Sequence, residues 1–419
     1  MLAARRSLKL AGIALAASAM VLTGCAGGSS SGDNSSKHGA DKSPIRIGST
    51  LALTGPLAPT AIIHKVAGEQ FVKQLNANGG LLGRPVEWIV RDDESSPETS
   101  ASLYERLITQ DKVDLIVGPY GTANISASMQ VAQRHDMVFI HNSGTLVYAY
   151  TYKNQFPLYA SGIKASQTGA ETVFDAYASA PNPPKTVGFV VSKFPATNYL
   201  VYGHDGTPGA LQVAKTKGLN VVLNVQYDVG NTDWSSIAQR VKDANPDLLF
   251  MGATGADGVG LLAALQQQGW TPRHQFYQFP APGPMLGAGK IADGATTVTM
   301  FEPYEPYLSN TGAQDLVKLY PPAAKVAGIQ YTVPDIQAAL AWAQWQTLVA
   351  GVEGCKCLDQ DKIAQTLEDT TVHTVLGDIN FDPAQHNYYG DLSAIKQIQD
   401  GKWVVVYPKD KASNGATIR

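Results

Sequence analysis

The strongest constraint on this chain is an alternation: short apolar runs of strand length are followed, repeatedly, by longer segments whose apolar residues recur at near-helical spacing. Ile45 to Gly48 reads as a strand and Ala58 to Asn76 as a helix carrying Ile62, Ile63, Val66, Phe71, Val72 and Leu75, stopped by Asn78-Gly79-Gly80. Pro85 to Arg91 is a second strand, Thr99 to Gln110 a second helix, Val113 to Val117 a third strand and Met137 to Ile140 a fourth. The order then restarts with strands at Thr186 to Val191, Val221 to Val225 and Asp247 to Met251 and a helix at Trp234 to Ala244. Ala338 to Gly351 reads as a long late helix and Trp403 to Tyr407 as a closing strand. Strand-helix-strand order with short links requires crossover connections, hence an α/β fold of mainly parallel sheets flanked by helices. Two such series imply two lobes, and no fixed-period repeat suggests a solenoid or propeller.

Length agrees with this division. The 419 residues exceed the roughly 250–300 at which single cores stop growing. A hydrophobic fraction of 44% and a net charge of −3 exclude an intrinsically disordered chain, and 40 Gly with 24 Pro fall far short of a collagen-like one. With 32 Lys+Arg against 35 Asp+Glu, and no dense basic run, the chain lacks the surface that binds nucleic acid through counterion release.

Residues 1–24 read as a secretory signal: Arg5, Arg6 and Lys9 precede an apolar stretch from Leu10 to Leu22 that is too short to span a bilayer. Leu22-Thr23-Gly24-Cys25 resembles a lipobox, which makes Cys25 the lipid-bearing first mature residue of an exported protein anchored to the outer face of the cell membrane. Residues 25–43 form the Gly/Ser-rich tether. Removing residues 1–24 takes away three basic residues and no acid, so acyl chains rather than a basic patch supply the membrane contact. Cys355 and Cys357, one residue apart, either pair as a local disulfide or remain free thiols. A metal site would want two intervening residues and matching histidines, and neither metal nor cofactor is expected.

In sheets of this kind ligands bind beyond the carboxyl ends of strands. The loops there are Leu53-Thr54-Gly55-Pro56, then Gly118-Pro119-Tyr120-Gly121-Thr122-Ala123-Asn124, then His141-Asn142-Ser143-Gly144-Thr145. They are rich in hydroxyls and bare backbone, a composition that receives a carboxylate at a helix start, although N-capping alone would also explain Thr122 or Ser143.

Gly55-Pro56-Leu57-Ala58, Asn76-Ala77-Asn78-Gly79-Gly80-Leu81-Leu82-Gly83-Arg84, Asp92-Asp93 with Pro97, Asp114 to Pro119, Asn231-Thr232-Asp233-Trp234 and Gly377 to Asp382 arrive in order with consistent spacing. Together they resemble the branched-chain amino-acid-binding (Leu/Ile/Val-binding) family of ABC-transporter solute receptors. That resemblance implies a two-lobed type I periplasmic-binding-protein fold, with three inter-lobe crossings near Ser161, Pro280 and Thr371. Lobe 1 would comprise 44–161 plus 281–371, and lobe 2 would comprise 162–280 plus 372–419. It further implies that Thr122 holds the ligand carboxylate, Thr145 contacts both ends of an amino acid, the Ser143 carbonyl accepts from the ammonium, and Asp257 is its counter-ion. On residue type alone Asp257, in a Gly-rich loop, reads as a turn residue.

Departures from the family bear on the ligand. Thr60 stands where a large aromatic wall is usual, and the family's small-loop disulfide is replaced by Ser95 and Gly121. The segment from Phe194 to Gly209 is long and offers Phe194, Tyr199 and Tyr202 as cleft candidates, alongside Tyr120, Tyr148, Tyr150 and Phe279. Motifs for a nucleophile elbow, a zinc protease, a Walker loop and an EF-hand are absent, and Asp92-Asp93-Glu94 reads as a solvated turn rather than a carboxylate pair. Three functions follow. One is a non-enzymatic receptor that captures an amino acid or related small carboxylate for an ABC permease. A second is a sensor on the same fold for an aromatic acid or amide. The third, with least support, is a cell-surface hydrolase.

Overall fold

A computed structural model describes residues 42–159, 166–390 and 392–419. The lipobox at Cys25, the signal segment, nearly all of the tether and the crossing near Ser161 lie outside the described residues.

The first series runs β1 (Ile45–Leu51), α1 (Ala58–Ala77), β2 (Val86–Asp92), α2 (Pro97–Thr109), β3 (Leu115–Ile116), α3 (Thr122–Arg134), β4 (Phe139–His141) and β5 (Gln155–Pro157). Strand β1 pairs in parallel with β2 and β3, a Val117–Ile140 bridge extends the array toward β4, and β4 pairs in parallel with β5. The second series runs α4 (Ala170–Ala178), β6 (Thr186–Ser192), α5 (Pro195–Tyr202), a hairpin of β7 (Gly203–His204) and β8 (Thr207–Pro208), α6 (Ala210–Thr216), β9 (Asn220–Tyr227), α7 (Ser235–Ala244), β10 (Leu248–Gly255), α8 (Asp257–Gln267), β11 (His274–Pro280), α9 (Pro282–Gly287) and β12 (Ala295–Thr299). The chain continues with α10 (Ala313–Val326), α11 (Ile336–Cys355), α12 (Gln360–Asp369), β13 (Val372–Thr374), β14 (Gly377–Ile379), β15 (Ala394–Gln399) and β16 (Lys402–Tyr407). The larger sheet has the order β16-β15-β12-β11-β10-β6-β9, parallel from β9 through β12 and antiparallel at β15 and β16.

Sheet membership draws the crossings later than the sequence reading. β12 pairs with β11 and β15, so the chain stays with the second sheet through Thr299 rather than leaving at Pro280, and Met300 and Phe301 are the first residues to join the core of the first lobe. The β13–β14 hairpin buries Val372, Val375, Leu376 and Ile379 in that same core, and Val375 N–H donates to Gln346 Oε1 of α11 at 2.9 Å. The return to the second sheet therefore comes at Ala394, well after Thr371.

Helix α11 organises the first lobe. Its side chains are buried on nearly every face, as expected of a helix that is apolar all round. Asp335 caps it by accepting N–H bonds from Gln337 (3.0 Å) and Ala338 (3.4 Å). Trp345, 1% exposed, meets Trp88 edge-on with ring centroids 5.1 Å apart and lies 6.2 Å from Phe71. Gly68 permits this packing, because a Cβ there would lie 2.7 Å from the Trp88 ring and 2.8 Å from Trp345 Nε1. Cys355 and Cys357 are joined as a disulfide at the end of α11, where Lys356 takes the left-handed conformation.

The Asp92-Asp93-Glu94 segment is not a solvated turn throughout. Asp93 is fully buried and accepts from Thr50 Oγ1 (2.7 Å) and Ser95 N–H (3.1 Å), while Asp92 accepts from Leu53 and Thr54 N–H in the loop after β1. Ser95 Oγ donates to the Thr54 carbonyl at 2.7 Å and accepts from Leu57 N–H, so a serine side chain ties the loop after β1 to the turn after β2.

Replacing Trp345 by Ala removes a fully buried ring from the α1–α11 interface, and equilibrium denaturant unfolding should show a loss of about 3–5 kcal/mol.

Candidate functional site

Loops at the carboxyl ends of β3 and β4 are bound into one unit. Gly121, at φ 98°, is the N-cap of α3, and its N–H donates to Ser143 Oγ at 3.0 Å. Thr122 Oγ1 lies 3.3 Å from Thr145 Oγ1, and the Tyr150 hydroxyl donates to the Thr122 carbonyl at 3.2 Å. Behind them, Gln344 of α11 donates from Nε2 to the carbonyls of Gly118 (3.1 Å) and Ile140 (2.8 Å) and accepts from Asn142 Nδ2 at 2.7 Å. One amide from a helix some two hundred residues away thus fixes the ends of both strands. Gln344 is one of several polar residues in a mostly apolar helix, and nothing local in the sequence sets it apart.

These loops open on a cavity of about 680 Å³ lined by residues of both sheets. Seven of the eight ligand-binding candidates line it: Thr60, Tyr120, Thr122, Ser143, Thr145, Asp257 and, from just before α5, Phe194. Tyr199 does not. It is 4% exposed and belongs to a core cluster with Leu200, Met129 and Tyr388, its ring 5.3 Å from that of Tyr148. Phe194 precedes α5 and can reach the cavity, whereas Tyr199 falls on the inward face of the helix. Of the other aromatic candidates Phe279 lines the cavity, Tyr150 is buried against α3, and Tyr148 and Tyr202 are exposed. Tyr159, Tyr320 and Tyr331 line the cavity although the sequence reading did not single them out.

The electrostatics of the wall are uneven. Its charged members are Asp257 and Asp335, and no Lys, Arg or His is among the described residues that line it. An anionic group is therefore met by uncharged donors: the free N–H groups at the start of α3, with the positive end of that helix, and the Thr122 and Thr145 hydroxyls. Opposite in the chain, Asp257 opens α8 at the end of β10 and accepts from the Tyr227 hydroxyl at 2.8 Å. Burial holds its carboxyl above the usual range, with the Tyr227 bond pulling the other way. Tyr120, beside His64 at 4.6 Å between ring centroids, is pushed up to about 12 by burial, against a hydrogen bond with Thr60. His64 is lowered to about 4 by burial and is therefore neutral at pH 7, its Nε2 2.9 Å from Gln337 Oε1.

Two α/β sheets sharing one hydroxyl-lined cavity define a small-molecule receptor of the two-lobed kind. The chain belongs to the periplasmic binding protein family, whose model matches residues 44–402. It is 23% identical to the Leu/Ile/Val-binding protein of Escherichia coli K12 over 350 residues, which cover 81% of this chain and 86% of the relative. Among solved structures, a leucine-binding protein from Thermotoga maritima superposes with a TM-score of 0.70 at 18% identity, covering 86% of this chain and 97% of that one. A solute-binding protein of an ABC transporter from R. palustris, solved with benzoate, superposes with a TM-score of 0.71 at 19% identity, covering 89% and 99%. The family is one of extracytoplasmic solute binders associated with ABC transporters rather than of enzymes.

The raised Asp257 carboxyl carries a signed consequence. Above the ordinary carboxyl value of 3.8 the unfolded chain loses a proton that the folded state keeps, so stability falls as pH rises through the window up to the folded value. Asp257→Asn keeps an acceptor for Tyr227 and removes that slope. Thermal unfolding of the ligand-free variant should occur at a higher midpoint than wild type at pH 7, the difference closing below about pH 4.

Proposed function

We propose that this protein captures an amino acid or a related small carboxylate between its two lobes and delivers it to an ABC permease, held to the outer face of the membrane by lipid on Cys25. The observation that carries the reading is the convergence on one cavity of the α3 start with Thr122, Ser143 and Thr145 from one lobe and the Asp257 carboxylate from the other. Such a pair of poles matches a zwitterion: amides and hydroxyls meet the carboxylate, and a half-buried carboxylate meets the ammonium. Closure of the lobes would remove both poles from water and strengthen each contact.

A second reading, an aromatic acid or amide as ligand, is favoured by the aromatic wall of Tyr120, Tyr159, Phe194, Phe279 and Tyr331 and by the benzoate found in the R. palustris protein. In that case Asp257 has no ammonium to meet.

A thermal-shift screen of the purified full chain separates the two. A ligand at 100 times its dissociation constant adds about 2.7 kcal/mol of apparent stability. Asp257→Ala should weaken amino acids by about 2–5 kcal/mol and leave carboxylates without an amine nearly unaffected. Thr122→Val, by removing a hydroxyl from the anion pole, should weaken both kinds by about 1–3 kcal/mol, as measured by calorimetric titration. Shifts confined to ligands lacking an amino group would overturn the amino-acid reading.

A further inference from the structure

The second carboxylate on the cavity wall, Asp335, has no role in the scheme above, and it sits well away from Thr122. Gln344 marks the level of the Gly118 and Ile140 carbonyls at the strand ends, and Asp335 caps the same helix nine residues earlier, roughly 13 Å along its axis. Asp335 is only 5% exposed, and it lines both the main cavity and an adjoining recess of about 40 Å³. That volume admits a terminal group of a few atoms, not a ring.

The recess is polar and its hydrogen bonding is incomplete. Besides Asp335 it is lined by Gln278, 7% exposed, by Gln337 and by Lys396. Lys396 Nζ lies 2.6 Å from Glu302 Oε1, both side chains being 3% exposed, and 5.0 Å from the centroid of the Trp403 ring. Trp403 also lines the recess, and its indole N–H is buried with no hydrogen-bond partner among the described residues. Three buried charges therefore stand together, two negative and one positive, with the positive one at contact distance from Glu302. Burial raises the carboxyl of Asp335, offset in part by Lys396 and by the amides at the start of α11, and Glu302 is raised by burial in the same way. Surroundings of this kind disfavour an aliphatic end, which would seal the Asp335 carboxylate, bonded only to the amides of its own helix start, and the unpartnered Trp403 N–H away from water. Asp335 favours an incoming group that donates N–H bonds, and a carboxamide would in addition offer its oxygen to the Trp403 indole N–H.

We infer that the recess beside Asp335 is a second polar subsite, which takes the distal ammonium, guanidinium or carboxamide of a long amino-acid-like solute whose head is held at Thr122 and Asp257. The assignment rests on the reading of the head group proposed above. It makes the solute one that ends in an N–H donor rather than a branched aliphatic chain, and it makes Asp335 a specificity-determining residue as well as a helix cap.

Calorimetric titration of the full chain with arginine, lysine, glutamine, leucine, isoleucine and valine tests it. At least one of the first three should bind tenfold or more tightly than any of the last three. Asp335→Asn retains a capping acceptor but loses the charge, and it should cut the affinity for the preferred ligand at least tenfold more than the affinity for leucine. Gln278→Met, which leaves the helix cap intact, should erode the same preference in the same direction. A purely structural role for Asp335 would weaken every ligand alike, and that outcome overturns the inference, as does leucine, isoleucine or valine binding as tightly as the best donor-ended ligand. If amino acids bind and Asp257→Ala weakens them while neither Asp335→Asn nor Gln278→Met alters the preference, the head reading stands and the second subsite falls. If benzoate binds and no amino acid does, both fall.

Discussion

The site depends on what one amide does. Gln344 is buried in the middle of α11, and it spends both ends of its side chain on the β3 and β4 loops. Two strand-end carbonyls and Asn142 would otherwise lie buried near an apolar helix without their full complement of bonds, at a cost of about 1–3 kcal/mol for each group left unpaired. Because α11 is packed on nearly every face, the amide cannot drift, and neither can the loops that carry Thr122, Ser143 and Thr145. The rigidity of the carboxylate pole is thus inherited from the core of the lobe and not from the loops themselves, which are rich in glycine. The same helix presents Asp335 at its start, so both ends of the cavity on the first lobe are referenced to a single rod.

Much of the fold was legible because strands buried on both faces and amphipathic helices leave strong periodic traces. Ile45, Thr186, Leu248 and Lys402 begin strands within a residue or so of where the pattern placed them. What escaped was whatever tertiary pairing decides. β12 and the β13–β14 hairpin are short, and nothing local says which sheet they join, so the crossings that the resemblance implied near Pro280 and Thr371 fall later in the structure. An antiparallel pair added to a parallel sheet, as β15 and β16 are, also looks like any other strand from sequence. Helix α10, with Pro321 and Pro322 inside it, carries residues that argue against a helix and are overruled by packing through Leu316, Tyr320 and Ala324.

For the site, residue type at a loop position served well where the backbone is the functional group. Gly121, Thr122 and Ser143 sit where a strand meets a helix, and that geometry is implied by the alternation itself. It served poorly for aromatics, since a ring in a long insertion can face the ligand, the solvent or the core. Phe194 and Tyr199 are five residues apart and end on opposite sides of that choice, one at the mouth of α5 and the other beneath it. Asp257 could be read in two ways until its partner was known, because the Tyr227 hydroxyl comes from a strand thirty residues earlier. Gln344 and Asp335 were invisible for the opposite reason: they lie inside or at the edge of an apolar helix, where residue type suggests core and only three-dimensional neighbours reveal a polar duty.

The insertion that carries Tyr199 has a mechanical side. His204, in the β7–β8 hairpin that follows α5, stacks on Tyr148 of the first lobe with ring centroids 3.7 Å apart, and Tyr199 adds a third ring to the group. Aromatic contacts of this type are worth about 0.5–1.5 kcal/mol beyond the area they bury. A motion that parted the lobes at this edge would separate rings that belong to different lobes, so the hairpin would act as a clasp in any balance between open and shut forms. A change there shifts apparent affinity for every ligand by the same factor, by altering how often the receptor is ready to bind, with no contact to the ligand at all.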